Sequence, residues 1–253
     1  MGSYVDSMLK GANPADVTRA RYVSPLVESE TNHDFEAAPR FMDAMVFAIG
    51  GLEAEFGTHP SWNFHVLLWV ASQAMRLPGD IVQCGVLGGT DAAAIVRYTN
   101  FAARTDKTFY LLDTFTGVPE ELWTPHEIAI GAASAQWLYK QLGDLYASVV
   151  ERFRSYPNVR VIQGKVPDTL AQVDAAQISV LFLDMNCAAP EAAACEYFWD
   201  KLVPGGIIFS DDYGHSRGGG YFYKSKVAFD NFAAKVGLEV LSLPTGQALL
   251  VKV

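Results

Sequence analysis

Three carboxylates stand where two apolar runs stop. Asp184 closes Ile178-Ser-Val-Leu-Phe-Leu183, and the pair Asp211-Asp212 closes Gly206-Ile-Ile-Phe-Ser210. Residues 189–202 between them read as one helix, giving a strand–helix–strand unit whose crossover is right-handed in nearly all known cases. Neighbouring strands lie about 4.8 Å apart, so all three acids are expected to converge at the C-terminal edge of a sheet. Open α/β sheets place their ligands at that edge. Carboxylates packed so closely repel one another unless a cation sits among them, and hard oxygen donors suit a divalent ion such as Mg2+. A single strand-end Asp commonly caps a helix or loop; the trio points to a metal.

A second set of residues has the makings of a cofactor site. The strand expected over 80–84 runs into Gly85-Val-Leu-Gly88-Gly89-Thr90, after which a helix begins. Glycines there let the backbone approach a ligand, and the helix start offers unpaired N–H groups. The pattern is not GxGxxG. Asp113 ends the next expected strand, where an acid can accept from both ribose hydroxyls of an adenosine; the competing role is a cap on Thr114-Phe115. Gly164-Lys-Val-Pro-Asp-Thr-Leu170 follows the third strand and could border an adenine ring. The stretch from Thr114 to about Gln136, carrying Trp123 and His126, is long enough to be a lid.

The elements that must position these residues alternate. Strands are expected near 80–84, 108–113, 159–162, 178–184 and 206–210, with helices near 90–103, 139–155, 167–173, 189–202 and 224–236. That rhythm means a parallel sheet covered on both faces. The chain then closes with Leu238–Leu243 and Gln247–Val253, joined by Pro244-Thr-Gly246, which reads as a hairpin. A mostly parallel, seven-stranded α/β sheet ending in an antiparallel hairpin is the Rossmann-like arrangement of class I S-adenosylmethionine (SAM) methyltransferases. An ordinary dinucleotide-binding sheet would continue with another crossover. Upstream, residues 1–35 are polar and irregular, and helices are expected over 39–56 and 61–76. The expected division is an arm with lid helices over 1–60 and the catalytic domain over 61–253. Trp62, Trp69, Trp137 and Trp199 fall on helices at apolar spacing and are expected to pack the core; Lys224 and Lys226 read as a solvated helix start.

Composition narrows the class. The chain has 253 residues, half of them apolar, and a net charge of −9. It carries no basic run, which argues against nucleic acid, whose phosphates need a Lys/Arg-rich face. No apolar stretch reaches the length of a membrane span, and the first residues lack the pattern of a signal peptide. Cys84, Cys187 and Cys195 show no CxxC spacing and read as reduced core residues, so a cytoplasmic location is expected.

Seven segments together resemble one family. They are Asp80-Ile-Val-Gln-Cys-Gly-Val86, Tyr110-Leu-Leu-Asp-Thr-Phe-Thr-Gly-Val-Pro119, Gly164-Lys-Val-Pro-Asp-Thr-Leu170, Leu183-Asp-Met-Asn-Cys187, Tyr197-Phe-Trp-Asp-Lys-Leu-Val-Pro-Gly-Gly206, Asp211-Asp-Tyr-Gly214 and Leu243-Pro-Thr-Gly-Gln247. The combination, over roughly residues 62–253, is similar to the macrocin O-methyltransferases, SAM- and metal-dependent enzymes that methylate sugar hydroxyls. The resemblance implies SAM held by Gln83, Gly85, Val86, Gly88, Thr90, Asp113, Thr114, Phe115, Gly164, Val166 and Asp184. It further implies Mg2+ on Asp184, Asp211 and Asp212, a small-molecule acceptor with a free hydroxyl, and a homodimer. This chain departs from the family in carrying Gln83 where Glu is usual, Leu87-Gly88 where a bulkier polar pair is usual, and a glycine-rich loop over 215–220.

An alcohol is a poor nucleophile at neutral pH, so a base is needed once the oxygen has been aligned with the sulfonium methyl group. Asp184, on the strand nearest the cofactor, is the first candidate; His215 and His126 follow. Two other readings stay open on sequence: an NAD(P)-dependent oxidoreductase on the same glycine turn, and a non-catalytic pathway protein in which Gln83 marks weakened cofactor binding.

Overall fold

The structure, a computed structural model, describes residues 22–23, 28–29, 33–49, 61–129, 143–214 and 223–253. Near the N-terminus a short antiparallel pair, β1 (Tyr22–Val23) and β2 (Glu28–Ser29), interrupts the stretch expected to be irregular. Two helices follow, α1 (Pro39–Ile49) and α2 (Ser61–Ala74). From there strands and helices alternate as the sequence pattern requires: β3 (Asp80–Cys84), α3 (Thr90–Tyr98), β4 (Phe109–Asp113), the short α4 (Pro125–Ala129), α5 (Leu145–Phe153) and β5 (Val159–Gln163). The second half runs β6 (Ile178–Leu183), α6 (Ala188–Phe198), β7 (Leu202–Ser210), α7 (Tyr223–Lys235), β8 (Leu241–Ser242) and β9 (Ala248–Val251).

Seven strands form one sheet in the order β5-β4-β3-β6-β7-β9-β8. β5 through β7 pair in parallel, while β9 runs antiparallel to both β7 and β8. The expected hairpin therefore exists, and β9 is inserted between β7 and the short edge strand β8. Because successive side chains point to opposite faces, each central strand feeds two cores. Ile81, Leu111, Val180, Phe182 and Phe209 pack beneath α1, α2, α3 and α5. Val82, Leu112, Leu181, Leu183 and Ile208 pack against α6 and α7. Burial on both faces explains why β6 is an unbroken apolar run; each such large side chain stabilises the fold by about 2 kcal/mol.

Four local expectations change. The helix expected over 167–173 is a single 3-10 turn, Leu170–Gln172, because the N–H groups of Leu170, Gln172 and Val173 donate to carbonyls three residues back. β7 begins at Leu202, earlier than Gly206, because the Pro-Gly segment is drawn into pairing: the Gly205 N–H donates to the Lys252 carbonyl at 2.6 Å. The register shift opposite Ile178–Val180 absorbs the extra residues as an irregularity in the ladder. Trp69 is 50% exposed and lies outside the core, whereas Trp199 caps α6 and packs edge-on against Phe232. Lys226 is likewise engaged, donating to Asp230 and, at 3.0 Å, to the Tyr213 hydroxyl. Trp137 lies outside the described residues.

Gly85 shows most sharply what the sheet demands of the backbone. It follows β3 with φ +92°, and a Cβ there would lie 1.9 Å from the Asp184 carbonyl oxygen. No rotamer change relieves a clash between two backbones. Gly88, with nothing within 4 Å of its would-be Cβ, is the natural control. Gly85→Ala is expected to lose about 3 kcal/mol or more in urea unfolding, and Gly88→Ala less than about 1 kcal/mol; equal losses would show that the close approach is not what requires glycine.

Candidate active site

The parallel ladder continues past the strand ends and lines up the predicted residues. The Gly164 N–H donates to the Asp113 carbonyl at 2.8 Å, and the Gly85 N–H to that of Leu112 at 2.9 Å. The Asp184 N–H donates to Cys84, and the Asp211 N–H to Leu183, both at 2.9 Å. One row across the C-terminal edge thus carries the glycine turn, Asp113, Asp184 and Asp211. Since β3 is flanked by β4 on one side and β6 on the other, its end is the switch point at which open sheets bind ligands.

Asp184 and Asp211 follow Leu183 and Ser210, which are register partners on β6 and β7. With Asp212 they present one ligand atom each, all within 4.8 Å of one another. Asp212 is buried and accepts the Asn186 N–H at 3.1 Å; the Asn186 amide reaches Asp184 at 3.4 Å. This is a set of hard oxygen donors at the spacing a divalent cation bridges, so the residues present fit such an ion. Burial, then the charges of Asp211 and Asp212, push the Asp184 carboxyl well above the ordinary carboxylate range.

Two further acids join the group. Asp91, in the first turn of α3, is pushed up to about 7 by burial and by the charge of Asp211. Glu191, on α6 and 3% exposed, is also pushed well up by burial and by Asp212, although the Ser225 hydroxyl and the Met185 and Cys187 N–H groups favour its charged form. The sequence reading passed over both because helix interiors and first turns carry many acids; only the fold turns these two toward the trio.

Beside the acids a partly open cleft spans about 410 Å³, some of it open to solvent, and is lined by the predicted residues Gly85, Asp113, Thr114, Gly164, Val166 and Asp184. Pro119, Leu122, Met185 and Pro190 supply its apolar surfaces and Lys165 a charge at its margin. The remaining cofactor candidates, Gln83, Val86, Gly88, Thr90 and Phe115, are not among the residues that line it. Phe115 is buried in the core, and Thr90 opens α3 after Gly89, which sits at φ +75°. Gln83 is 2% exposed; its amide nitrogen donates to the Gly85 carbonyl at 2.9 Å, and its oxygen has no partner among the described residues.

Asp113 takes the capping role on Phe115 and also lines the cavity. Its side chain accepts from the N–H groups of Val86 at 2.6 Å and Leu87 at 2.9 Å, and from that of Phe115 at 2.6 Å. It thereby fastens the glycine turn to the next loop while lining the cavity. The segment expected to be a lid is fastened at Glu127. Glu127, 4% exposed, accepts the Thr124 N–H at 2.7 Å and, with its other oxygen, the Ala188 N–H at the start of α6 at 3.1 Å. His126 lies on α4, its side chain outside the described residues, and His215 lies outside them entirely.

Comparison with known proteins places this arrangement. The macrocin-O-methyltransferase (TylF) family profile matches residues 66–236. A curated relative from Streptomyces olivaceus, 8-demethyl-8-(2,3-dimethoxy-alpha-L-rhamnosyl)-tetracenomycin-C 4'-O-methyltransferase, is 25% identical over 145 residues. That match covers 54% of each chain, so this chain spans about half the length of that relative. Among solved structures, the O-methyltransferase NovP superposes with a TM-score of 0.61 at 21% identity, over 77% of this chain and 82% of that one. The calicheamicin methyltransferase CalS11 gives 0.57 at 17% identity, over 89% and 99%. At these identities the likeness establishes the fold, that of class I methyltransferases.

The crowding of acids sets a pH dependence. Asp91, Asp184 and Glu191 have raised folded pKa values, so between about pH 4 and 7 the folded chain holds protons the unfolded chain has shed. Their contribution to stability is complete below the ordinary carboxylate pKa and is lost as pH rises through the folded values. In EDTA the melting temperature is expected to fall from about pH 5 to 7.5 through this contribution, and to fall less in Asp184→Asn. Identical slopes in the two proteins would rule the cluster out as the source.

Proposed function

This chain belongs to the macrocin-O-methyltransferase family, and from that premise we propose that it is a SAM-dependent O-methyltransferase acting on a hydroxyl of a small-molecule natural product. A sugar or other vicinal diol fits best. The observation that carries the reading is the single row of strand ends that sets a glycine-walled cavity beside three converging carboxylates. The 4'-O-methylation in the name of the Streptomyces olivaceus relative agrees with a sugar-borne acceptor.

SAM would lie along Gly85–Thr90, with its ribose toward Asp113 and its adenine between Gly164–Val166 and the lid residues Pro119 and Leu122; when bound it supplies an electrophilic methyl group. Gln83, in place of an acid, offers the methionine end an acceptor without charge. Asp184, Asp211 and Asp212 would hold Mg2+, which when bound lowers the pKa of a coordinated oxygen by several units. An acceptor with two neighbouring hydroxyls could then be held beside the same three residues. Alignment of the acceptor oxygen falls to the rim of the cavity, where Asp184 faces both sites. That position makes Asp184 the first candidate to take the acceptor proton; His126 and His215 are the remaining candidates.

The same reading takes residues 61–253 as the catalytic domain with 1–60 as its arm, and a cytoplasmic homodimer as the working form. Among the described residues no helix is long and apolar enough to cross a membrane, and the −9 charge disfavours nucleic acid. Family membership favours this over a nicotinamide-dependent oxidoreductase, and a thermal-shift comparison of SAM with NAD(P) separates the two. Transfer of labelled methyl from SAM to a panel of diol-bearing acceptors is expected to need divalent cations and to drop by about 10²–10⁴-fold in Asp184→Asn. Undiminished turnover in EDTA would remove the metal from the scheme, and no heat on titrating SAM would favour a non-catalytic member.

A further inference from the structure

Gln247 is 1% exposed and precedes β9 on the closing hairpin. Its amide is bonded on both sides. The oxygen accepts from the Thr245 hydroxyl at 2.9 Å, while the nitrogen donates to Asp211 Oδ1 at 2.7 Å and to the Asn63 carbonyl at 3.3 Å. Asn63, on the first turn of α2, returns a bond from its own amide nitrogen to the Thr245 carbonyl at 3.3 Å. A carbonyl and a carboxylate can only accept, so the nitrogen end of Gln247 must face them. The Thr245 hydroxyl secures the opposite end. The same turn grips the main chain just beyond Asp212, where the Gly214 N–H donates to the Gly246 carbonyl at 2.6 Å.

We propose that Gln247 is a positioning residue for Asp211, with Thr245 and Asn63 fixing its amide, so that the closing hairpin and the start of α2 jointly orient one ligand of the cation site. The assignment rests on the metal reading above. Its logic is electrostatic. Asp211 stands among other carboxylates, and a lysine in the place of Gln247 would hold its side chain but neutralise the site and compete with the cation. An amide donor fixes the carboxylate plane and brings no net charge. An aliphatic side chain there would remove this donor from a part-buried carboxylate oxygen and let the group rotate away from Asp184 and Asp212.

The test is a Mn2+ titration of the full chain without SAM, following free Mn2+ by electron paramagnetic resonance, on wild type, Gln247→Leu and Thr245→Val, each checked for native near-UV circular dichroism. Loss of an outer-shell partner is expected to weaken Mn2+ binding by about 10-fold or more in Gln247→Leu, and by a smaller factor in the same direction in Thr245→Val, which touches no carboxylate. A merely structural role would lower the melting temperature and leave the Mn2+ affinity of the folded protein unchanged, and that result overturns the assignment. Should Gln247→Leu fail to fold, Thr245→Val decides alone. Wild-type protein that binds no Mn2+ would instead remove the metal reading, and this assignment with it.

Discussion

Mutual repulsion among carboxylates at the ends of β6 and β7 is the constraint around which the rest of the site is arranged. Asp184, Asp211 and Asp212 are drawn together by a backbone register that the apolar strands enforce, and Asp91 and Glu191 add to the crowding from the flanking helices. A fold tolerates such a cluster only where protonation, neutral donors or a cation offset it. Asn186 and Gln247 provide the neutral donors. Hydrophobic burial on both faces of the sheet supplies the stability that lets an unfavourable edge persist.

The cofactor side obeys a different rule, that of close backbone approach. Gly85 passes so near the Asp184 carbonyl that no side chain fits, and Asp113 ties the following N–H groups to the neighbouring strand end. The wall of the cavity and the Asp184 strand end are consequently in direct backbone contact. Residues 122–127 adjoin it, for Glu127 accepts from the start of α6 and the Cys187 thiol meets the Leu122 carbonyl at 3.3 Å.

The fold was largely legible in the chain because its signals are local and repeated. Apolar runs of strand length alternating with helical periods can be satisfied by a parallel sheet with helices on both faces, and Pro244-Thr-Gly246 announced the closing turn. What stayed hidden has specific causes. Pro204-Gly205-Gly206 looks like a turn, and only pairing with the C-terminal strand draws it into β7. Trp69 has a core residue's spacing, yet half of it is exposed because its face of α2 has no described element over it.

For the site, the sequence by itself determined the row of chemistry-bearing residues, since strand ends and glycine turns are written locally: Gly85, Asp113, Asp184, Asp211 and Asp212 are where the pattern put them. Tertiary structure alone decided their surroundings. Gln247 meets Asp211 across 36 residues and Asn63 across 184, and Asp91 and Glu191 enter the acidic cluster from two different helices. A hydrogen bond or a charge coupling of that kind depends on distance in space, which the linear order of a chain does not encode until its strands have found their register.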